Sequence, residues 1–585
     1  MKNKKKPETA SQKSWFLSTL DRLAEAKPEH VLISEFTTPQ DKRLRTRQRF
    51  QTQVKNIAIF LSSLGVTRNT RIIMDIDIGM KWEVFAVWCA CQMLGACAVF
   101  FPPDMRYRDV KTEIDNADAH NGAPSIAIVG TPERVKKWVT TEADAAVPRI
   151  LICLRNICRD GSQLDALFEW PLPKNIIHFE KIANDTSDTP LQSALVHDDA
   201  PAAFVFTQGS HQNARRVEIS YAHFRAQAED LQQYFNLSSN HVIAIDQTSP
   251  LAVCLFVFAA SLYSGASFVC RSPQTEMSDL LAKAGITHAF MMPYTLEKLA
   301  LLITSPASRL KSRWRQLCLS GGKFRTRNTR KSLKWTGKFI RSLCTNPIRE
   351  AFMPDIKALI SYGNHFNAKH GELLSFVDVP VFNGFTVTEL GFVHLHQFTG
   401  EGSYFKSVET KVRNGLLSIK SRRSGSYICT DDLVFEDARC GLCSQRNFCV
   451  TLDSNIQVNA TPTREILRRH AIIDEIFVFG QNRPFLTALI YLNPEALQTW
   501  CANQKLPFHD FETTAQHPQV YNYIRSLVDG CNQRRGPHES IQKFAVLPRS
   551  IEQDPRILTP CRLTRPTDVE RRYAALIQSL YSDNF

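Results

Sequence analysis

A chain of 585 residues, 43% hydrophobic and 22% charged, is too long for one compact core and too apolar to stay disordered, so two or more globular domains are expected. Its formal charge of +14 favours anionic partners and is densest in the MKNKKK start and in residues 309–341, where no nucleic-acid recognition module is visible. The 16 cysteines are scattered, often inside apolar runs, and the single CxxC at Cys440 and Cys443 has no second pair to complete a zinc site. This excludes a disulfide framework and fits a reducing cytosol.

Residues 1–14, MKNKKKPETASQKS, are basic with no apolar stretch behind them and predict a disordered tail rather than a secretory signal. An amphipathic helix is predicted around Arg43 to Leu64, followed by the turn GVTRNT and the strand RIIMDID. A helix near Trp82 to Leu94 precedes the strand ACAVFF, a helix through Arg106 to Ala117 precedes SIAIVG, and VPRILICL adds another strand. Strand and helix in alternation predict a parallel sheet covered by helices. The runs Val84 to Phe101 and Pro250 to Val269 tempt a membrane reading, but each is better read as helix, glycine turn and buried strand. HVIAIDQ, ITHAFMM and IKALISYG predict a second sheet of similar build. From about Gln397, short strands in SYFKSVETKVRN, LLSIKS and YICTDD predict a small antiparallel unit. After about Arg446 the pattern becomes α+β and ends in a helix from Thr567 to Leu580, which sets domains at 15–445 and 446–585.

Several stretches carry candidate chemistry, and their order says more than any one of them. FTQGSHQNARRV (206–217) follows the apolar AAFVF, so a strand feeds hydroxyls, one glycine and then two arginines, a composition suited to holding phosphate. After it come SYGN (361–364), VPVFNGFTVTELG (379–391), YICTDD (427–432), SQRNFCVTLDSN (444–455) and ILTPCRLTR (557–565). This succession resembles the adenylate-forming (AMP-binding) superfamily, and within it the long-chain fatty acyl-CoA synthetases. HAIIDEIFVFGQNRPFLTALIYLNPEALQTW is similar to the opening of that group's C-terminal domain, and LTPCRLTRPTDVERRYAALIQSLY to its ending. The resemblance implies an α/β fold: a large N-terminal domain of two αβ layers plus a small β-barrel, then a small α+β C-terminal lid domain.

It also implies roles for particular residues. On the superfamily's TSGTTGxPKG phosphate loop, Thr207, Gly209 and Ser210 match in type and Arg215 stands at the lysine, while Gln212, Ala214 and Arg216 replace a glycine, a proline and a glycine. On the GYGxTE motif, Gly384, Thr388 and Glu389 match. There Phe385 keeps an aromatic face for adenine, and Glu389 is the candidate Mg²⁺ ligand. Asp432 matches the aspartate that binds ribose, with Asp431 in place of a glycine. Arg446 falls on the arginine of GRxKD, with Cys449 at its aspartate, and Gly363 keeps one glycine of a substrate-side SGGA-like motif. Ungapped register puts Leu563 where the family swings in a lysine, between Arg562 and Arg565.

The resemblance implies ATP, Mg²⁺ and coenzyme A as cofactors and a long-chain fatty acid as substrate. It implies no nucleic acid, and a cytoplasmic protein with peripheral contact to the inner membrane face through basic patches. Two readings follow. One is a slow AMP-forming acyl-CoA synthetase. The other is a catalytically deficient relative that binds an acyl or nucleotide ligand without turnover, to which the lost glycines, Asp431, Cys449 and the missing lysine point.

Overall fold

A computed structural model describes residues 12–75 except 37, 39 and 69, then 82–101, 126–129, 150–153, 176–184, 190–207, 216–246, 249–271, 275–304, 349–363, 371–374 except 372, 379–398, 402–413, 416–421, 427–437, 441–444, and 449–582 except 469, 534, 555–556 and 558–565. The helix expected through 106–117 lies outside the described residues.

The first αβ layer is a seven-stranded sheet in the order Arg216–Ser220, Pro201–Phe206, Cys97–Phe101, Arg71–Asp75, Ile126–Val129, Ile150–Cys153, Ile176–His178. All its pairings are parallel except the edge hairpin formed by the first two strands. The second layer is a nine-stranded sheet in the order Gly402–Tyr404, Gly391–Gln397, Val381–Val387, Ala358–Tyr362, His288–Met291, Val242–Ile245, Ser267–Arg271, Val31–Phe36, Lys42–Thr46.

Helices Trp82–Leu94 and Leu251–Ser264 lie between the sheets, and they are buried almost all round. A helix apolar on every side has to be enclosed, and here one continuous core draws Met74 and Phe100 from the first sheet together with Phe268 and Ile360 from the second. Trp88, fully buried, packs edge-on against Phe16 and Phe224, and its indole N–H donates to the Ala202 carbonyl at 2.9 Å. Each of these helices ends at a glycine of positive φ, Gly95 and Gly265, before a buried strand, so both apolar runs are core elements. Among the described residues no helix is long and apolar enough to cross a membrane. The cysteines in this layer behave as small hydrophobes, and burial pushes the Cys89 thiol up to about 12.

The N-terminal part departs from the sequence expectation. The helix predicted from Arg43 begins at Arg47, where the Thr46 side chain accepts the Arg49 N–H at 3.3 Å. The preceding KRLRT is an edge strand, antiparallel to Val31–Phe36. These two strands belong to the second sheet although they come first in the chain, a long-range pairing that no local pattern announces.

The short strands from Val408 onward form a four-stranded antiparallel sheet of Val408–Arg413, Leu416–Ser421, Ile428–Asp437 and Gly441–Ser444, while Gly402–Tyr404, expected with them, pairs instead at the edge of the nine-stranded sheet. Beyond it a three-stranded mixed sheet of Ile473–Phe479, Leu486–Leu492 and Ile541–Val546 alternates its side chains between two cores. Ile476, Ala488 and Phe544 face one, and Phe477, Leu489 and Ala545 the other. Arg464 and Glu475 form a buried fork-to-fork pair there, at 3.0 and 2.6 Å. Burial alone would raise the Glu475 carboxyl, but the charges of Arg464 and Arg468 outweigh it and hold it low. The single terminal helix expected from Thr567 to Leu580 is two, Pro566–Arg572 and Ala574–Tyr581. At the break, Arg572 and the Tyr573 hydroxyl both reach the buried carboxylate of Asp554, at 3.0 and 2.9 Å.

Candidate active site

Two hairpins carry most of the candidate residues. The first joins Pro201–Phe206 to Arg216–Ser220 at the edge of the seven-stranded sheet, with Phe206 opposite Arg216. The described ends of FTQGSHQNARRV, Phe206 and Thr207 on one side and Arg216 and Val217 on the other, therefore belong to this hairpin. Thr207 is half-buried where the first strand ends, while Gly209, Ser210 and Arg215 lie outside the described residues. Arg216, which the sequence places at the close of the loop, is the first residue of the return strand. Its guanidinium carbon lies 5.1 Å from the centre of the Phe204 ring, a ring that Arg71 also approaches, at 5.0 Å.

The second hairpin joins Val381–Val387 to Gly391–Gln397, and its turn is Thr388, Glu389 and Leu390. This turn is strongly specified. Gly391 has φ +78°, and a Cβ there would sit 2.8 Å from Gln227 Oε1 and 2.9 Å from the Phe256 ring, so any other residue is strained in conformation and must displace its neighbours. The Phe392 N–H donates to Gln227 Oε1 at 2.9 Å, and Gln227 Nε2 donates back to the Phe392 carbonyl at 2.9 Å. A register shift between Phe385 and Thr386 places an extra residue in the return strand. So held, Glu389 is only 9% exposed, with Thr388 half-buried beside it.

Parallel pairing of Ala358–Tyr362 with Val381–Val387 puts Tyr362 beside Gly384, so Gly363 follows alongside Phe385. Gly363, Gly384, Phe385, Thr388 and Glu389 therefore gather toward the carboxyl ends of the parallel strands, where open α/β sheets bind ligands. Gly384 packs closely over Phe392 and Leu395, and Phe385 is half-buried.

Asp432 lies on the strand Ile428–Asp437 of the small sheet. Leu416 pairs with Leu433 and Ser418 with Cys429, so this strand advances four residues against two of its neighbour, and Asp431 and Asp432 fall within the resulting bulge. Bulges of this kind re-aim backbone and side chains and are common beside sites. Arg446 and the whole of 558–565, with Arg562, Leu563 and Arg565, lie outside the described residues.

The sequence reading missed a buried polar network on the same edge of the nine-stranded sheet. Asp246, just after Val242–Ile245, receives Arg271 Nη2 at 3.0 Å, the Met292 N–H at 3.3 Å and the Thr295 hydroxyl. Val242–Ile245 lies between Ser267–Arg271 and His288–Met291, so Asp246 stands where the strand order reverses, the usual ligand crevice of such a sheet. Asp246 is fully buried and Arg271 only 12% exposed, and removing the Arg271 guanidinium would leave the carboxylate its Met292 and Thr295 donors but not this counter-ion, at a cost of about 3–5 kcal/mol. Met292 in turn packs 3.4 Å from where a Cβ on Gly363 would sit, which links the network to a candidate residue. The only sequence signal was an aspartate ending an apolar strand.

Comparison with known proteins bears on this arrangement as a whole. Residues 20–428 match the model of the AMP-binding enzyme family, and residues 449–584 match that of the AMP-binding enzyme C-terminal domain. The chain belongs to the AMP-binding enzyme family. This AMP-binding protein is 20% identical over 570 residues to the long-chain-fatty-acid–CoA ligase FadD15 of Mycobacterium tuberculosis, and to that of Mycobacterium bovis, covering 91% of each chain in both cases. Its fold is similar to the anthranilate CoA ligase AuaEII bound to anthranoyl-AMP, with a TM-score of 0.70 at 13% identity over 99% of this chain and 100% of the other. It is similar too to the adenylation domain of a carboxylate reductase from Mycobacterium chelonae, with a TM-score of 0.71 at 14% identity over 99% and 92% of the two chains. The AMP-binding family is one of adenylate-forming ligases of the acid–thiol kind, and the α/β architecture is the one expected of it.

Proposed function

We propose that the protein is an AMP-forming ligase that activates a long-chain fatty acid with ATP, first to an acyl-adenylate and then to acyl-CoA, with a slow first step. The observation that carries this reading is the buried Glu389 beside Thr388, on a braced turn among Gly363, Gly384 and Phe385. The long-chain substrate is supported by the name and the near-complete overlap of the FadD15 relatives.

In this reading the acid's carboxylate oxygen attacks the α-phosphorus, the bond to the β-phosphate oxygen breaks and pyrophosphate leaves. The thiolate of coenzyme A then attacks the acyl carbon and AMP leaves. Charge gathers on phosphate oxygens in the first step, so the chain must supply donors and cations there. Thr207, Gly209, Ser210 and Arg215 would hold the phosphates, Phe385 the adenine, Asp432 the ribose hydroxyls, and Arg446 the nucleotide near a domain boundary at residue 446. Glu389 and Thr388 fit Mg²⁺, a hard ion that takes one or two carboxylates from a protein and fills its shell with phosphate and water. Among the described residues no cluster of three or more His, Cys, Asp or Glu side chains forms an all-protein cage, as such a site requires none. When bound, Mg²⁺ would neutralise charge on the triphosphate.

One observation favours the second reading, binding without turnover. Leu563 stands at the lysine position, so one cationic element of the first step is altered, and Arg216 is a bulky strand residue lying over Phe204 where the family's loop closes on a glycine. The test is release of pyrophosphate from ATP with saturated acids from octanoate to stearate. We expect release that depends on the acid and is greatest with the longer chains; binding of nucleotide or acyl-CoA without release would establish the deficient reading instead.

A further inference from the structure

We infer that Gln227 is a positioning residue that ties the phosphate-loop hairpin to the carboxylate turn, and so sets where Glu389 stands relative to a Mg²⁺-bound triphosphate. The inference rests on the proposed function in one respect, that Glu389 faces nucleotide-bound Mg²⁺.

The connection is short. Strand Arg216–Ser220 returns from the loop and runs without a break into helix Tyr221–Phe235, capped by the Ser220 hydroxyl, which accepts the His223 N–H at 3.4 Å. Two turns into that helix Gln227 is 2% exposed, and its amide bonds Phe392 as both donor and acceptor, with Nε2 also 3.5 Å from the Ser407 hydroxyl. Phe392 follows Gly391, and Gly391 pairs with Val387 to close the turn that holds Glu389. The helix and the turn are thus joined by a two-point clamp inside the core, with no loop between clamp and hairpin.

The chemistry of the clamp is selective. Strand Gly402–Tyr404 pairs with the return strand only from His394 onward, so the outer edge at Phe392 needs its N–H and C=O satisfied by something else. A glutamine presents an acceptor and a donor side by side at the required reach. An asparagine is one methylene too short, a glutamate lacks the donor and a methionine lacks both. An apolar residue of equal size would fill the core equally well, so packing alone does not call for an amide here. On the same helix one turn later, Asp230 accepts the N–H of Ser407 at 2.9 Å, the residue whose hydroxyl Gln227 Nε2 also reaches at 3.5 Å. Asp230 is therefore an internal control that separates the shared Ser407 contact from the clamp on Phe392.

The experiment measures ATP affinity in EDTA and in Mg²⁺, together with melting temperature, for the wild type, Gln227→Met, Gln227→Glu and Asp230→Asn. The wild type should gain affinity on adding Mg²⁺. Gln227→Met should lose that gain by about tenfold or more, because a shift of about 1 Å in a ligating group is enough to uncouple it, with affinity in EDTA little changed. Gln227→Glu, which keeps the acceptor, should fall between, and it carries the test should the methionine variant not fold. Asp230→Asn should melt earlier yet keep the Mg²⁺ gain. A folded Gln227 variant with an intact gain, an equal loss in Asp230→Asn, or no gain in the wild type would each overturn the inference. Acid-dependent pyrophosphate release in the same wild-type preparation judges the proposed function separately.

Discussion

Glu389→Gln is expected to lower acid-dependent pyrophosphate release by about 10²–10³, the usual consequence of losing one group that stabilises charge in the transition state. The substitution keeps volume and planarity, so the turn braced by Gly391 and Gln227 should persist and the melting temperature should move little. What disappears is the anionic oxygen of a nearly buried side chain, which a neutral amide replaces poorly as a ligand for a hard divalent ion. The loss should therefore appear in the rate at saturating ATP and acid, and raising Mg²⁺ should recover part of it. A rate within about threefold of wild type, at any Mg²⁺ concentration, would take Glu389 out of the chemistry.

Leu563→Lys should act in the opposite direction and raise the rate of the first step by about 10². Leu563 occupies the position at which the resemblance implies a cation that contacts the acid and the α-phosphate. A leucine there offers neither charge nor a hydrogen bond. Arg562 and Arg565 bring charge nearby, but a guanidinium is wider and presents a planar fork, so it does not reproduce the geometry of a single ammonium. The gain should lie in the rate of adenylate formation in a single turnover, with ATP affinity little changed. No gain in an otherwise active protein would mean that one of the flanking arginines already supplies the contact.

Much of the fold was legible because it is written in local patterns. The β-branched runs RIIMD, IAIV and ILIC became neighbouring parallel strands, and the apolar helices with glycine ends became the shared layer between two sheets. The transfer of Val31–Phe36 and Lys42–Thr46 to the second sheet was not legible, because pairing with Ser267–Arg271 crosses more than two hundred residues of chain and leaves no periodic trace. The site divides in the same way. Thr388, Glu389 and Gly384 stood out as a motif, and the structure sets them with Gly363 toward one sheet edge. Gln227, Asp246 and Arg271 did not stand out, since a glutamine inside YAHFRAQAEDLQQYF and charged residues at two strand ends become informative only when tertiary contact buries them. Arg216 shows how local reading and tertiary place differ. In one dimension it closes the loop, and in three it already belongs to the ladder opposite Phe206.

The most direct test of the account is equilibrium binding of ATP to the wild type and to Asp432→Ala. If the nucleotide sits over the carboxyl ends of the nine-stranded sheet with its ribose held by the bulged strand Ile428–Asp437, the wild type binds and the variant loses most of its affinity while melting as before. Equal binding by both proteins would contradict that placement, and with it the site on which both functional readings depend.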